Sequence, residues 1–289
     1  MKLLRFELGG ATRLGALRGD AIVPLDVIAT QYPTMLAIIA GGDAALAAVQ
    51  KVSAAAALTI PLATVRLLAP LERPGKYLAI GMNYQKHVEE AIKIGVAAPS
   101  NQYWFNKQTS CIAGPYDDTD VGASHQVDYE VELCVVIGKP AKNVSAGDAR
   151  AHVFGYTVCN DVSARDWQKH APTFTVGKSF DTHGPIGPWI VTADEIDNPH
   201  DLTLRCFVNG EQRQEGNTSQ LIHNIWDQIA YLSTAFTLEA GDLLATGTPH
   251  GVGVAMDPPV FLKPGDVVRC EIGGIGAIEN MVVASVSRR

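Results

Sequence analysis

Hydrophobic and polar positions alternate along much of the chain, and this pattern predicts short β-strands at its start and through most of its length. Residues 2–24 alternate around Gly-rich turns, and two Ala-rich stretches at about 34–41 and 43–57 have the composition of helices. After these stretches the sequence changes to a mixed β type with frequent Gly and Pro. We therefore expect a small N-terminal α+β module over residues 1–70 and a larger domain over residues 71–289.

Helical patterns are few in the larger part. They occur at about 83–94, at 162–170 with Ser163 as a plausible N-cap, and in LIHNIWDQIAYLSTAF. Most of the remainder predicts strands, with a clear hairpin turn at Asn209-Gly210. Strands and helices do not alternate regularly, so the pattern indicates an α+β fold with mixed β-sheets and disfavours a doubly wound sheet.

One predicted strand, QVDYEVELCVVIG at residues 126–138, carries three acids in a largely apolar run. Asp128, Glu130 and Glu132 stand at every second position, so their side chains share one face, with adjacent Cα atoms about 7 Å apart. Carboxylates on a half-buried face repel each other unless positive charge lies between them. A divalent cation, Arg or Lys side chains, or exposure to water would each remove the repulsion. The run LCVVIG argues against an exposed edge strand.

A further acid follows the next predicted strand. Asp161 comes directly after residues 154–160 in GYTVCNDVSARDWQ, where a carboxylate can reach a neighbouring strand. Together with Glu130 and Glu132 it would provide three oxygen ligands, which suit Mg²⁺ or Mn²⁺. An acidic edge strand without a metal is the alternative interpretation.

Two other segments carry residues with catalytic potential. In GMNYQKHVEE, His87 and Glu90 are three positions apart and so lie on one face of the predicted helix. A carboxylate next to a His fixes its tautomer and raises its basicity. An incidental pair on a solvated helix is the alternative. Lys178 lies in a Gly-flanked segment, and such a lysine is most often a surface residue.

Composition and charge restrict the partners. Hydrophobic residues make up 47% of the chain, and 23 basic against 30 acidic residues give a formal charge of −7. No Lys/Arg run is available to follow a phosphate backbone, so we expect no nucleic-acid partner. The start MKLLRFELGG lacks the apolar core of a signal peptide, and MLAIIA is too short to span a bilayer. We expect a cytoplasmic protein without a membrane partner.

Other motifs argue against several common activities. The segment VGKS ends like a phosphate-binding loop, but Pro172 occupies the position of the required upstream Gly. GVGVAM and GGIGAI both lack the third Gly of a dinucleotide-binding fingerprint, and no G-x-S-x-G elbow occurs. The five cysteines have no C-x-x-C spacing. We expect Cys134, Cys159, Cys206 and Cys270 to be small buried hydrophobic residues and Cys111, which lies in a looser context, to be a free structural thiol.

Seven segments together resemble the fumarylacetoacetate hydrolase family, and specifically its bacterial branch that acts on acylpyruvates and other 2,4-diketo acids. They are IGMNYQKHVEE, FNKQTSCIAGPYDD, DYEVELCVVIGK, GYTVCNDVSARDWQ, GKSFDTHGPIGPWIVT, NGEQRQEGNTSQLIHNI and LEAGDLLATGTPHGVG. They run in order through nearly the whole of the larger domain. The resemblance implies a mixed-β catalytic domain of roll- or barrel-like form, assembled into homodimers that are sometimes paired into tetramers.

The resemblance also implies a role for each matching residue. Glu130, Glu132 and Asp161 match the metal ligands, His87 and Glu90 match a water-activating pair on a lid helix, and Lys178 matches a lysine that faces a developing oxyanion. Arg165, Gln168 and Thr248 match substrate-contacting positions, while Asp128 and Asp166 have no ligand role in the family pattern. Tyr103 and Trp104 are expected to form apolar walls of the acyl pocket.

The implied activity is hydrolysis of the C3–C4 bond of an acylpyruvate, a small 2-keto acid. Metal coordination stabilises the pyruvate enolate that leaves, while His87 deprotonates the attacking water and Glu90 supports the imidazolium. Lys178 offsets the charge on the tetrahedral oxygen. Oxaloacetate decarboxylation and keto–enol or double-bond isomerisation use the same enolate chemistry and remain alternatives, and a non-catalytic metal-binding protein is the interpretation from another class.

Overall fold

The computed structural model describes residues 1–285, and its elements begin with an antiparallel run of strands at the N-terminus. The strands are β1 (Lys2–Leu8), β2 (Ala11–Arg18), β3 (Ala21–Pro24), β4 (Ile60–Pro61), β5 (Arg66–Leu68), β6 (Tyr77–Gly81), β7 (Tyr103–Lys107), β8 (Ile112–Ala113), β9 (Thr119–Asp120), β10 (Val127–Asp128), β11 (Val131–Ile137), β12 (Val153–Asn160), β13 (Ser163–Ala164), β14 (Gly184–Thr192), β15 (Thr203–Val208), β16 (Glu211–Asn217), β17 (Leu243–Ala245), β18 (Val267–Ile272) and β19 (Gly276–Val283). The α-helices are α1 (Met35–Ala55), α2 (Gln85–Lys93), α3 (Arg165–Gln168) and α4 (Ile225–Ala235).

A twelve-stranded mixed sheet joins the N-terminal strands to the larger part of the chain. Its main path is β4-β3-β2-β1-β14-β12-β11-β17-β6-β7, with β5 paired to β1 and β8 paired to β14. The junction is the antiparallel pair of β1 with β14, where Leu3 lies opposite Ile190. The pairs β17–β6 and β14–β8 are parallel. The N-terminal module is thus part of the same sheet as the predicted larger domain.

The central strand β11 is buried along its whole length because the sheet is covered on both faces. Val131, Leu133 and Val135 belong to a core that includes side chains of a five-stranded sheet, in the order β16-β15-β18-β19-β9. Cys134 and Val136 belong to a second core that includes side chains of α1. Apolar residues are therefore required at consecutive positions, which explains the run LCVVIG.

The predicted α+β class with mixed sheets is confirmed, as is the predicted hairpin at Asn209-Gly210. Asn209 and Gly210 form the β15–β16 turn with φ values of 53° and 81°, the left-handed region that this dipeptide favours. The two Ala-rich helices are one element, α1, interrupted at Gly42, where φ is 53°. All five cysteines are buried and free, as predicted.

Two helix boundaries differ from the prediction. Ser163 is not an N-cap, because it lies in β13 opposite Asp128 and its hydroxyl donates to Asp161 O at 2.9 Å. The helix α3 begins only at Arg165. Helix α4 begins after Asn224, whose side chain accepts hydrogen bonds from the next backbone N–H groups and so caps the helix.

Helix α1 is long and apolar enough to cross a membrane by length and composition alone. In this fold Met35, Ile38, Ile39, Ala45 and Val49 are buried in the second core. The helix therefore serves as a core element of the structure.

Candidate active site

The acidic strand is divided in two at the point where its carboxylates turn inward. Tyr129 and Glu130 lie between β10 and β11, so the predicted continuous strand over residues 126–138 is wrong at these two positions. Side chains replace the regular strand ladder there: Glu130 N–H donates to Asn160 Oδ1 at 2.9 Å and Val131 N–H donates to Gln214 Oε1 at 3.0 Å. The backbone at the end of β12 adds a third hydrogen bond, in which Asp161 N–H donates to Glu130 O at 2.9 Å.

Three buried carboxylates meet at this break. Glu130, Glu132 and Asp161 each offer one oxygen, and these atoms lie within 4.8 Å of one another. Asp128 does not join them. Its carboxylate accepts from Arg165 Nε at 2.9 Å and from the backbone N–H of Gly253 at 2.8 Å.

Basic side chains neutralise part of this charge, which is one of the three solutions that the sequence leaves open. Lys178 Nζ lies 2.7 Å from Glu130 Oε2 and 2.6 Å from Asp161 Oδ2. A guanidinium nitrogen of Arg165 lies 2.7 Å from Glu130 Oε1. Although burial opposes ionisation, Lys178 and Arg165 hold the pKa of Glu130 below its usual range.

A second buried lysine at the site has no counterpart in the predicted site residues. Lys107 Nζ, at the end of β7, lies 2.6 Å from Asp161 Oδ1. Burial alone would lower the pKa of this lysine, but Asp161 keeps it above its usual value. The only signal in the sequence is a lysine ending the strand YWFNK, a pattern that also fits an ordinary strand end.

The carboxylate of Glu132 differs from the other two because no ammonium or guanidinium group is within ion-pair distance in residues 1–285. Its polar contact is the backbone N–H of Gly247, which donates to Oε2 at 2.7 Å. Burial, and then the adjacent Asp161 carboxylate, raise the pKa of Glu132 well above its usual range. A buried all-oxygen ligand set with one uncompensated carboxylate fits a divalent cation.

The predicted pair on α2 is in contact. His87 Nδ1 lies 3.3 Å from Glu90 Oε2, and the other oxygen, Glu90 Oε1, accepts the backbone N–H of Gly251 at 2.9 Å. Both side chains are largely buried, with 14% and 20% exposure. Glu90 therefore fixes the His87 ring on one side and ties the helix to the loop after β17 on the other.

A cavity of about 190 Å³ collects most of the predicted site residues. Those that line it are His87, Glu130, Glu132, Arg165, Gln168, Lys178 and Thr248. Asp161 and Glu90 do not line the cavity themselves. They contact residues that do, Asp161 through Lys178 and Glu90 through His87. The Thr248 hydroxyl already donates to Val131 O at 3.0 Å and accepts from Gln214 Nε2 at 2.8 Å.

Apart from Lys169, the remaining side chains that line the cavity are apolar or aromatic. They are Ile80, Met82, Ala91, Ile94, Val96, Tyr103, Phe105, Phe174 and Val254. Tyr103 lines the cavity as predicted, and its ring packs edge-on against Phe174 at 5.3 Å. Trp104 does not line it, because successive residues of β7 face opposite sides, and it lies against the first core instead.

Comparison with known proteins gives matches over nearly the whole chain. The model of the fumarylacetoacetate (FAA) hydrolase C-terminal family matches residues 76–283, and an N-terminal model described as Rv2993c-like matches residues 1–70. A human mitochondrial protein named oxaloacetate tautomerase FAHD2A is 43% identical over 291 residues, covering 98% of this chain and 92% of that protein.

Solved structures agree in fold and differ in named activity. Maleylpyruvate hydrolase from Sphingobium sp. SYK-6, in complex with manganese(II) and pyruvate, is 31% identical with a TM-score of 0.83, covering 99% of this chain and 100% of that chain. A 2-hydroxyhepta-2,4-diene-1,7-dioate isomerase from Mycobacterium marinum is 32% identical with a TM-score of 0.76, at 99% of both chains.

Hydrolase, isomerase and tautomerase names all occur among these relatives, so the narrower assignment to an acylpyruvate-hydrolysing bacterial branch stays a prediction. The family itself is clear, since its model covers residues 76–283, well over half of the chain, and the buried carboxylates fit a divalent cation. The chain belongs to the fumarylacetoacetate hydrolase family and is a metal-dependent enzyme.

Proposed function

We propose that the chain interconverts the keto and enol forms of a 2-oxo dicarboxylate of the oxaloacetate type, with Mg²⁺ or Mn²⁺. The observation that carries this proposal is the His87 ring, held by Glu90 and lining the same cavity as the Glu130 and Glu132 carboxylates. A base that shares a cavity with a cation-binding carboxylate set can carry out proton transfer next to a carbonyl. The 43% identical relative named as an oxaloacetate tautomerase supports the choice of reaction.

The residues of the chain divide the work as follows. Glu130, Glu132 and Asp161 would hold the cation, and Lys178 and Arg165 keep Glu130 ionised for this purpose. A bound divalent cation supplies positive charge that stabilises an enolate oxygen. The apolar part of the cavity wall lowers the polarity around these charges, which strengthens their electrostatic interactions.

His87 moves the proton in this proposal. Its Nδ1 is engaged by Glu90, so Nε2 is the ring atom available to the substrate. Nε2 removes a proton from C3 of the keto form, the C–H electron pair becomes the C2–C3 double bond, and the π pair of the C2 carbonyl moves onto its oxygen, which then takes the proton back from the imidazolium to give the enol. Glu90 supports the positive charge that the imidazole carries between these two transfers.

Hydrolysis of an acylpyruvate is the second candidate. The solved maleylpyruvate hydrolase supports it, and so does the His87–Glu90 pair, because the same Nε2 could deprotonate a water that attacks the C4 carbonyl. Lys178 would then offset the charge on the tetrahedral oxygen. Decarboxylation of oxaloacetate needs the enolate but no attacking water, so it would depend less on His87.

One set of assays separates these candidates. Ultraviolet absorbance follows the ketonisation of enol-oxaloacetate and the loss of acetylpyruvate or maleylpyruvate, and pyruvate release follows decarboxylation, each with Mg²⁺ and with a chelator. We expect metal-dependent acceleration of ketonisation and a loss of about 10²–10⁴-fold in His87→Ala. If wild type leaves enol-oxaloacetate at its spontaneous rate but cleaves acylpyruvates, the hydrolase assignment replaces the tautomerase.

The metal dependence and the role of the pair need one control. Glu90→Gln retains a hydrogen-bonding group next to His87 but removes the charge that supports an imidazolium. We expect its loss of ketonisation to be smaller than that of His87→Ala, while Mn²⁺ binding stays near the wild-type value because neither residue is a ligand. Wild-type rates in His87→Ala would remove His87 from the mechanism.

A further inference from the structure

Lys107 is buried behind the carboxylate cluster and takes no part in the proposed chemistry. It ends β7 with only 2% of its surface exposed, and it is absent from the cavity lining. Its ammonium group lies 2.6 Å from Asp161 Oδ1 and 3.4 Å from Val162 O. The ring of Tyr77 lies beneath the ammonium at 5.9 Å.

Asp161 is the only member of the carboxylate cluster whose two oxygens each meet a lysine in residues 1–285. Oδ1 is held by Lys107 from the buried side, and Oδ2 is held by Lys178, which lines the cavity. Lys178 also contacts Glu130 Oε2 at 2.7 Å. The two lysines thus approach Asp161 from different sides, and only one of them is in reach of a substrate.

This arrangement has a consequence when a cation joins the cluster. Lys178 contacts one oxygen of Glu130 and one of Asp161, so binding of a divalent cation by these residues would place a second positive charge beside Lys178 and could displace it. Lys107 contacts the opposite oxygen of Asp161 and takes no part in this displacement. Its hydrogen bond can therefore keep the Asp161 side chain in one orientation, with Oδ2 on the side of Lys178 and Glu130, whether or not Lys178 stays in place.

We propose that Lys107 is a positioning residue that orients Asp161 as a ligand for the divalent cation. Partners of this kind, which contact a ligand but not the metal, commonly change metal affinity by about 10- to 100-fold when removed. Electrostatic repulsion alone would give the opposite result, because a nearby ammonium repels a cation and its removal would then tighten metal binding. The direction of the change in metal affinity when Lys107 is replaced therefore distinguishes positioning of Asp161 from simple repulsion.

The test measures Mn²⁺ binding to metal-stripped protein by electron paramagnetic resonance of free Mn²⁺. Lys107→Met has a similar volume and no hydrogen-bond donor, and we expect about 10- to 100-fold weaker binding. Lys107→Arg restores a donor and should recover most of the affinity. Lys76→Met is the matched control, because it breaks another lysine pair with a fully buried carboxylate, Lys76–Asp242 at 2.7 Å, away from the cluster.

A double mutant tests whether the effect passes through Asp161. Asp161→Asn weakens binding by itself, and adding Lys107→Met should cause no further loss if the two residues act as one unit. Circular dichroism and thermal unfolding in chelator establish folding, and Lys107→Gln is measured in parallel in case the Met variant does not fold. Wild-type or tighter Mn²⁺ affinity in a folded Lys107 variant, or additive losses in the double mutant, overturns the proposal. Since no substrate is present, this outcome is independent of which reaction the enzyme catalyses.

Discussion

Single residues at the site differ in whether their buried charge has a partner. Glu130 is contacted by both Arg165 and Lys178, whereas Glu132 has a backbone N–H and no basic side chain within ion-pair distance in the described part of the chain. The buried charge of Glu130 is therefore compensated in the absence of a metal, whereas that of Glu132 is compensated only when a cation binds. Two neighbouring residues of the same type should consequently respond in opposite ways to neutralisation.

Glu132→Gln should raise the stability of the metal-free protein and weaken its metal binding. The pKa of Glu132 is raised in the folded state, so the ionised side chain opposes folding as the pH rises through its ordinary range, and the amide removes this penalty. Loss of a charged ligand should reduce Mn²⁺ affinity at least tenfold, about 1.4 kcal/mol.

Glu130→Gln is the matched comparison. It leaves Lys178 and Arg165 with a weaker acceptor, so thermal unfolding in chelator should occur at a lower temperature than in wild type. Melting curves in chelator and Mn²⁺ titrations on both variants check the pair. Equal destabilisation by the two substitutions would contradict the difference assigned to their surroundings.

His183 provides a pH dependence that comes mainly from burial and does not involve the carboxylates of the cluster. The side chain is fully buried, its Nε2–H donates to Asp120 O at 2.8 Å, and Nδ1 has no partner among residues 1–285. Burial lowers its pKa from 6.5 to about 4. The unfolded chain therefore binds a proton at higher pH than the folded one, so stability present above pH 6.5 is lost as the pH falls toward 4.

The expected loss from His183 is on the order of 3 kcal/mol over this window. His183→Gln keeps an N–H donor and cannot take up the proton, so its stability should fall less on acidification than that of wild type. Urea unfolding at a series of pH values measures the difference, with the exposed His170→Gln as a control. Parallel pH profiles for wild type and His183→Gln would mean that His183 is not held neutral by burial.

Elements were predictable where a local pattern determines them. The β15–β16 hairpin follows from Asn209-Gly210, and the contact of His87 with Glu90 follows from helical spacing. The break between β10 and β11 does not follow from local sequence, because it depends on Asn160 and Gln214, which come from distant strands. Lys107 was missed for the same reason: its partner Asp161 is 54 positions away.

The helix α2 is the element that can close over the cavity. Val88 and Ala91 are its buried residues, while Ile92, Ile94 and Val96 are 53%, 48% and 42% exposed although the last two also line the cavity. Apolar side chains at a cavity rim gain burial when a ligand fills the space beneath them. The segment 83–98 should therefore be less protected without ligand than with it.

Hydrogen exchange with Mg²⁺ and oxalate tests this expectation for α2. Oxalate offers two adjacent oxygens like those of a pyruvate enolate, and we expect slower exchange in 83–98 by about tenfold, with no change in peptides from the buried strand β11. Glu90→Ala removes the contact to Gly251 and should reduce the protection gained. Equal exchange with and without oxalate in wild type would contradict a closing motion.

The whole molecule depends on contacts that cross the predicted boundary at residue 70. The β1–β14 pair makes the N-terminal strands part of the large sheet, and one core contains Leu3, Met35 and Ile38 together with Val136 and Ile186. Sequence composition detected the change in character at this boundary but not the shared sheet, because strand pairing over nearly 190 residues leaves no local pattern. The division into a module and a domain, and the homodimer, stay predictions.

Removal of residues 1–70 should therefore prevent stable folding of the remainder. It would uncover one edge of β14 and the apolar face that α1 covers, and such an exposed edge favours aggregation. We expect residues 71–289 alone to be insoluble, co-expression with residues 1–70 to restore soluble protein, and the full chain to unfold in one cooperative transition. Calorimetry, sedimentation and Mn²⁺ titration check these outcomes. A soluble 71–289 fragment with wild-type Mn²⁺ affinity would show that the metal site forms without the N-terminal module. The shared sheet would then connect the two parts of the chain without being required for the folding of the larger one.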